Sequence, residues 1–240
     1  MLLEVDAISR RFGGLTAVSA VTFGVSEGEV VGLIGPNGAG KTTLFNVIAG
    51  ALPPSAGRIR FADSDITAKK PHLICRHGLV RTFQIVRPFG SLSVVDNIVI
   101  GAFTRVRDRH TAYAAAERAL EATGLARWRD ALARSLPIGL RKRLEVARAL
   151  ATRPRLLLLD EVMNGLNPTE LTEMMALIRE LNAGGITILL IEHVMAAVMS
   201  LCGRIVVLHH GEKIAEASPR EIARDPRVID AYLGEAYLIE

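Results

Sequence analysis

The chain has 240 residues, half of them apolar, and a formal net charge of +4. That length suits one α/β domain carrying a helical insertion, and no apolar run approaches the roughly 18–20 residues that cross a bilayer. Arginine supplies 24 of the 29 basic residues, yet no long basic block or basic-aromatic stripe occurs, so a dispersed solvated surface is expected and nucleic acid is not expected as a partner.

The opening stretch carries Glu4 and Asp6 directly after its first leucines and has no apolar h-region, which predicts a chain without an export signal, held inside the cell. Cys75 and Cys202 lie far apart with no ligand-spaced neighbour, as expected of buried thiols in a reducing compartment. Strands are predicted over 3–8, 16–25 and 57–61, and "VVGLI" (30–34) reads as a strand buried on both faces. A variable stretch follows at 62–78, then a strand "LVRTFQ" (79–84), then an alanine- and arginine-rich helical block over 96–135. Within that block "YAAAERALEATGL" (113–125) forms helix until Gly124 stops it. The basic amphipathic helix "GLRKRLEVARALATRP" (139–154) ends before Pro154 and is expected to pack on the body of the domain. Strands and helices then alternate as βαβ units: "RLLLLD" (155–160), a helix over 168–183, "ITILLI" (186–191), a helix from 193 to about 201, and "RIVVLH" (204–209). "NPTE" (167–170) and "SPRE" (218–221) each offer a cap, a proline in the first turn and a glutamate three residues after the cap, so both mark helix starts.

The loop "GPNGAGKTT" (35–43) fits G-x-x-x-x-G-K-[ST] between a buried strand and the helix "TTLFNVIAG". Backbone N–H groups and a helix N-terminus converge there on one concavity, which suits a phosphate chain. Asn37, Gly38, Ala39, Gly40 and Thr43 line the loop, Lys41 reaches the β- and γ-phosphates, and Thr42 holds Mg²⁺. The expected ligand is a nucleoside triphosphate. Asp160 ends a buried strand and is expected to bind Mg²⁺ through water; Glu161 follows it as general base for the attacking water. His193 stands past another strand end on the same carboxyl edge.

With the phosphate loop, "RTFQ", "LPIGLRKRLEVARAL", "LLLLDE", "GLNP" and "IEH" in this order, the chain resembles the ATP-binding cassette (ABC) family over essentially its whole length. The resemblance implies an α/β P-loop fold: a mainly parallel core, an N-terminal antiparallel β portion, and an inserted helical subdomain. The core would span 1–84 and 154–240, the insertion about 85–153. It also implies that Phe12 stacks on adenine near Val18, that Gln84 links Mg²⁺ and the attacking water to the transport subunits, and that His193 senses the γ-phosphate. An aromatic face accepts a purine whatever its edge.

In this family two cassettes face head to tail, each nucleotide lying between one phosphate loop and the other subunit's signature motif. The usual L-S-G-G-Q stands here as Leu136, Pro137, Ile138, Gly139 and Leu140, without the serine hydroxyl, the first glycine or the glutamine. Leu136, Pro137, Gly139 and, in the dimer-crossing loop, Asn167 are carried over as contacts to the partner's nucleotide. Hydrogen bonds to charged groups are worth about 1.5–3 kcal/mol, so the site built with this signature is expected to be the weaker of two. Val162, Asn167 and Val194 also depart from the family pattern, which puts turnover rather than binding in question.

Within the family, "RRFGGLTAV" (10–18), "GLVRTFQ" (78–84), "GLNPTE" (165–170), "LLIEH" (189–193) and "RVIDAYLGE" (227–235) are similar to the ATP-binding subunit of bacterial branched-chain amino acid importers. The partners so implied are a second, different cassette, transmembrane permease subunits and, indirectly, a periplasmic solute-binding protein. The chain would then sit peripherally on the inner face of the membrane. Urea or amide importers, the lipopolysaccharide-export cassette, soluble ABC ATPases acting on DNA or ribosomes, and a regulatory nucleotide-binding module with little turnover are the alternatives.

Overall fold

The computed structural model describes residues 1–83 and 87–236. Strands β1 (Leu3–Phe12) and β2 (Leu15–Val25) form a hairpin through Gly13 and Gly14, and with β4 (Ala56–Phe61) and β5 (Ser64–Asp65) they make an antiparallel sheet in the order β2-β1-β4-β5. The expected strand 3–8 therefore runs four residues further, which brings Phe12 to the hairpin tip. The second sheet is built from β3 (Val30–Ile34), β6 (Leu79–Arg81), β7 (Leu156–Asp160), β8 (Thr187–Ile191), β9 (Arg204–His209) and β10 (Glu212–Ala217) in the order β10-β9-β3-β8-β7-β6. All its pairings are parallel except the edge pair of β10 and β9.

Helices α1 (Lys41–Ile48), α2 (Pro71–His77), α3 (Val94–Ala102), α4 (Arg109–Ala122), α5 (Ile138–Leu150), α6 (Pro168–Ala183), α7 (Met195–Leu201), α8 (Pro219–Ile222) and α9 (Pro226–Ala236), with short 3₁₀ turns at Ala126–Trp128 and Ala133–Ser135, complete the described elements. The stretch 62–78, read only as variable, contains β5 and α2. The strand expected over 79–84 closes at Arg81, and Gln84 lies outside the described residues. Helix α6 has the predicted bounds, because Asn167 and Glu170 form a reciprocal capping box with Pro168 in the first turn. Ser218 and Glu221 do the same for α8.

Burial explains the sheet. β7 and β8 are buried at every position, so each needs apolar cover on both faces. One cluster, including Phe45, Phe61, Leu158 and Leu189, fills the space between the two sheets and α1. A second, including Leu157, Leu190, Met174 and Ile178, covers the other face beneath α6 and α7. A third belongs to the helices, where Ile98, Ala116, Leu120 and Leu144 pack α3, α4 and α5 together. Cys202 is buried and its thiol is pushed up to about 12 by desolvation; Cys75 is half-buried rather than buried, and desolvation raises it also. Among the described residues no helix is long and apolar enough to cross a membrane.

Candidate nucleotide site

Three adjacent parallel strands deliver the site. In the sheet β3 lies beside β8 and β8 beside β7, with Leu33 opposite Ile191 and Ile191 opposite Asp160. The carboxyl ends of all three therefore meet at one edge, where open α/β sheets place their ligands. After β3 the chain enters the phosphate loop, after β7 it reaches Asp160 and Glu161, and after β8 it reaches Glu192 and His193.

The loop is shaped by its glycines. A Cβ on Gly35 would stand 2.1 Å from the Leu208 carbonyl oxygen, and one on Gly40 would stand 2.4 Å from that of Ala17; both glycines have positive φ. No other residue fits these positions without moving backbone. Gly40 caps α1 with no side-chain hydrogen bond, and the first turn of α1 carries no acidic residue. An N-terminus so left open favours an anion through its amides and its dipole. Lys41 Nζ donates to the carbonyls of Gly35 (2.5 Å) and Pro36 (2.7 Å), which folds the ammonium back over the loop. A cavity of about 350 Å³ opens here, lined by Phe12, Leu15, Ala17, Asn37–Thr43, Glu161 and His193.

Glu161 and His193 meet directly, with Nε2 2.9 Å from Oε1. Glu161 is 7 % exposed and adopts a left-handed backbone, φ 50°, unusual for a residue other than glycine. Asp160 is 1 % exposed; its Oδ2 accepts from Arg81 Nη2 at 2.6 Å, while its buried Oδ1 has no hydrogen-bond partner. Arg81 Nη1 also donates to Asn46 Oδ1 at 2.5 Å. Asn46 lies one turn beyond Thr42 on the same face of α1, so Arg81 ties the phosphate-loop helix to the end of β7.

The expected site residues are not all brought together, and Gln84 lies outside the described residues. Asn37, Gly38, Ala39, Gly40, Lys41, Thr42, Thr43, Phe12, Glu161 and His193 share the cavity. Phe12 is on its rim, half-exposed, with the Arg10 guanidinium 4.6 Å over its ring. Asp160 lies buried one residue before Glu161, held by Arg81. Val18 is fully buried below Gly40, and its neighbour Ala17, pointing the other way along the strand, lines the cavity.

Leu136, Pro137, Gly139 and Asn167 do not line this cavity. Leu136 is buried, Pro137 caps α5 without a side-chain hydrogen bond, and Gly139 is buried against Glu170, whose Oε1 would lie 2.4 Å from a Cβ there. Asn167 is occupied as the α6 cap.

Arg81, Asn46, Lys142 and Glu192 were not expected in the site. Each is polar and placed by partners distant in sequence. Lys142 and Glu192 are buried, at 6 % and 2 % exposure, and both engage the turn that follows Asp160. Lys142 Nζ donates to the carbonyls of Glu161 (2.9 Å) and Asn164 (2.5 Å), and the Met163 amide donates to Glu192 Oε1 (2.8 Å). Burial raises Glu192 to about 7 and lowers Lys142. The one available clue was the basic helix 139–154: a lysine on its packed face needed a buried acceptor.

Known proteins resemble this chain in sequence and in fold. The family model described as ABC transporter matches residues 18–164, and one described as branched-chain amino acid ATP-binding cassette transporter matches residues 212–237. The chain is 43 % identical to the high-affinity branched-chain amino acid transport ATP-binding protein BraF of Pseudomonas aeruginosa, over 98 % of each chain. It is 41 % identical to LivG of Escherichia coli, also over 98 % of each, and 37 % identical to the lipopolysaccharide export system ATP-binding protein LptB of Acidithiobacillus ferridurans, over 99 % of each. Among solved structures, the ADP conformation of MJ1267, an ATP-binding cassette of an ABC transporter, superposes with a TM-score of 0.89 at 33 % identity, covering 97 % of this chain and 98 % of that one. The chain belongs to the ATP-binding cassette transporter family, as an ATPase cassette.

Proposed function

We propose that this cassette powers an importer of branched-chain amino acids by binding and hydrolysing MgATP. The observation that carries the reading is the convergence in one cavity of an open helix N-terminus, Lys41 and the Glu161–His193 pair. The C-terminal match at 212–237 and the importer relatives favour branched-chain amino acids over lipopolysaccharide export.

The residues fit the cofactor. Gly35 and Gly40 let the loop lie close against the carbonyls of Leu208 and Ala17, which a Cβ at either position would strike, and the amides of α1 and Lys41 supply the countercharge for phosphates. Phe12 would meet the adenine. For Mg²⁺, the orphaned Oδ1 of Asp160 is an acceptor awaiting a donor or cation, and Thr42 is exposed to the cavity. Among the described residues no three His, Cys, Asp or Glu side chains converge, which suits an ion held mainly by phosphates and water with one or two protein oxygens. Mg²⁺, when bound, neutralises charge on the phosphates. Glu161 takes the proton of the attacking water, and His193 holds the carboxylate in line through its Nε2 contact. Gln84, assigned by resemblance to both Mg²⁺ and the permease, lies outside the described residues.

Pro137 and Ile138 are exposed at the start of α5, the surface that would face the partner cassette's nucleotide. Neither offers a side-chain donor, so the partner is read as a different chain with an intact signature, and the two nucleotide sites as unequal. The chain would dock on permease subunits at the inner face of the membrane, served by a periplasmic binding protein. The test mixes the purified chain with candidate second cassettes, measures ATPase, and follows leucine uptake in proteoliposomes carrying the permease. Stimulated hydrolysis and uptake, both abolished by Glu161→Gln, support the reading; hydrolysis without leucine uptake removes the substrate assignment.

A further inference from the structure

The turn at 161–164 is held by two buried charges from opposite sides. Lys142, in α5, gives its ammonium to the carbonyls of Glu161 and Asn164. Glu192, at the end of β8, takes the amide of Met163 and immediately precedes His193. Burying an ammonium and a carboxylate is costly, and an apolar side chain would fill the same space more cheaply. The turn explains the expense. Glu161 sits in a left-handed conformation, which for a residue with a Cβ persists only where its surroundings over-determine it. Both members of the Glu161–His193 pair are thereby braced: Glu161 through its own carbonyl, His193 through the residue before it.

Lys142 also lies one turn beyond Gly139, at the start of the same helix. There Gly139 abuts Glu170, which caps α6 just after the 161–164 turn. The start of α5 and the hydrolytic turn are thus joined at two points, a hydrogen-bonded ammonium and a close steric contact.

We propose that Lys142 and Glu192 are positioning residues for Glu161, and that Lys142 makes the placement of Glu161 depend on α5, so that engagement of residues 136–139 by a partner is felt at this chain's own hydrolytic carboxylate. The proposal rests on the function assigned above. It assigns roles to side chains that never touch nucleotide.

The test compares Lys142→Met, Lys142→Arg, Glu192→Met and Glu192→Gln in the two-cassette complex. Misplacement of a reacting group by an ångström can cost on the order of a hundredfold in rate. Lys142→Met is expected to lower kcat by about ten- to a hundredfold with KM for ATP little changed, and Lys142→Arg, which keeps the donor, is expected to recover most of it. Independently of turnover, amide hydrogen exchange in Lys142→Met should quicken at 162–164 and leave β7 and β8 protected. If Lys142→Met does not fold, Glu192→Met carries the same two readouts, since it removes the acceptor of the Met163 amide at similar length, and Glu192→Gln, which keeps that acceptor, is its control. Wild-type kcat in Lys142→Met, or equal loss in Lys142→Met and Lys142→Arg, overturns the proposal, as does unaltered exchange at 162–164. MgATP binding by the unsubstituted chain, measured alongside, separates these outcomes from failure of the functional reading itself.

Discussion

The phosphate-loop edge and the start of α5 would each form half of a nucleotide site, but they are built to different standards. At the sheet edge the described groups are supported: Gly35 and Gly40 are fixed by steric necessity, Asp160 is ion-paired in a buried setting, and Glu161 bonds His193. At the start of α5, Pro137 and Ile138 present ring and alkyl carbon, and no side chain caps the helix. On the function proposed above, one chain contributes a well-supported hydrolytic half-site and a complementary half whose exposed residues offer no side-chain donor. A partner that supplies what α5 lacks yields one strong and one weak composite site.

Substitutions can break or sharpen that contrast. The largest effect is expected from Glu161→Gln, because a general base contributes about 10²–10⁴-fold; ATPase of the mixed complex should fall by that order while MgATP binding persists. Binding lost together with turnover would show that Glu161 serves the loop rather than the chemistry.

Next comes Arg81→Met, which leaves Asp160 buried without its cation. Removing one partner of a buried pair costs about 3–5 kcal/mol, to be read from urea unfolding. A loss of under about 1 kcal/mol would mean that the pair does not organise the end of β7.

A smaller gain is expected from repairing the poor half. Pro137→Ser with Ile138→Gly restores a hydroxyl and a close backbone approach, and a hydrogen bond to a charged phosphate is worth about 1.5–3 kcal/mol. ATP should then bind the partner's phosphate loop at least about tenfold more tightly in the mixed complex. No change would place the asymmetry elsewhere than residues 136–139.

The smallest effect concerns pH. Burial raises Glu192 from its ordinary 4.5 to about 7, against the pull of the Met163 amide and the Lys142 charge. Between those values the native state keeps a proton that the unfolded chain has released, so stability contributed by this group falls as pH rises through the window. Thermal melts of Glu192→Gln should therefore decline less between pH 5 and pH 7 than those of the unsubstituted chain.

How legible all this was in the sequence depends on the range of the forces involved. The phosphate loop could be read because glycine spacing and a following lysine are local necessities, and α6 could be bounded because its cap, proline and glutamate lie within four residues. β7, β8 and β9 announced themselves as short apolar runs, wet on neither face. Non-local pairing was hidden. Nothing near Arg81 in sequence says that it will meet Asp160, 79 residues on, and Asn46, 35 residues back. Lys142 and Glu192 were equally silent, since their partners are backbone atoms of a distant turn. The facing of Val18 was hidden as well. Resemblance gave the right strand, but alternation along β2 sends Val18 inward and Ala17 toward the cavity.

Main-chain amides at the start of α1, together with the Lys41 ammonium, are proposed to grip polyphosphate. Isothermal titration calorimetry of the Lys41→Ala chain with MgATP tests it most directly. Binding seen in the unsubstituted chain is expected to be lost in Lys41→Ala; unchanged affinity would show that the amides and the ammonium do not hold the phosphates.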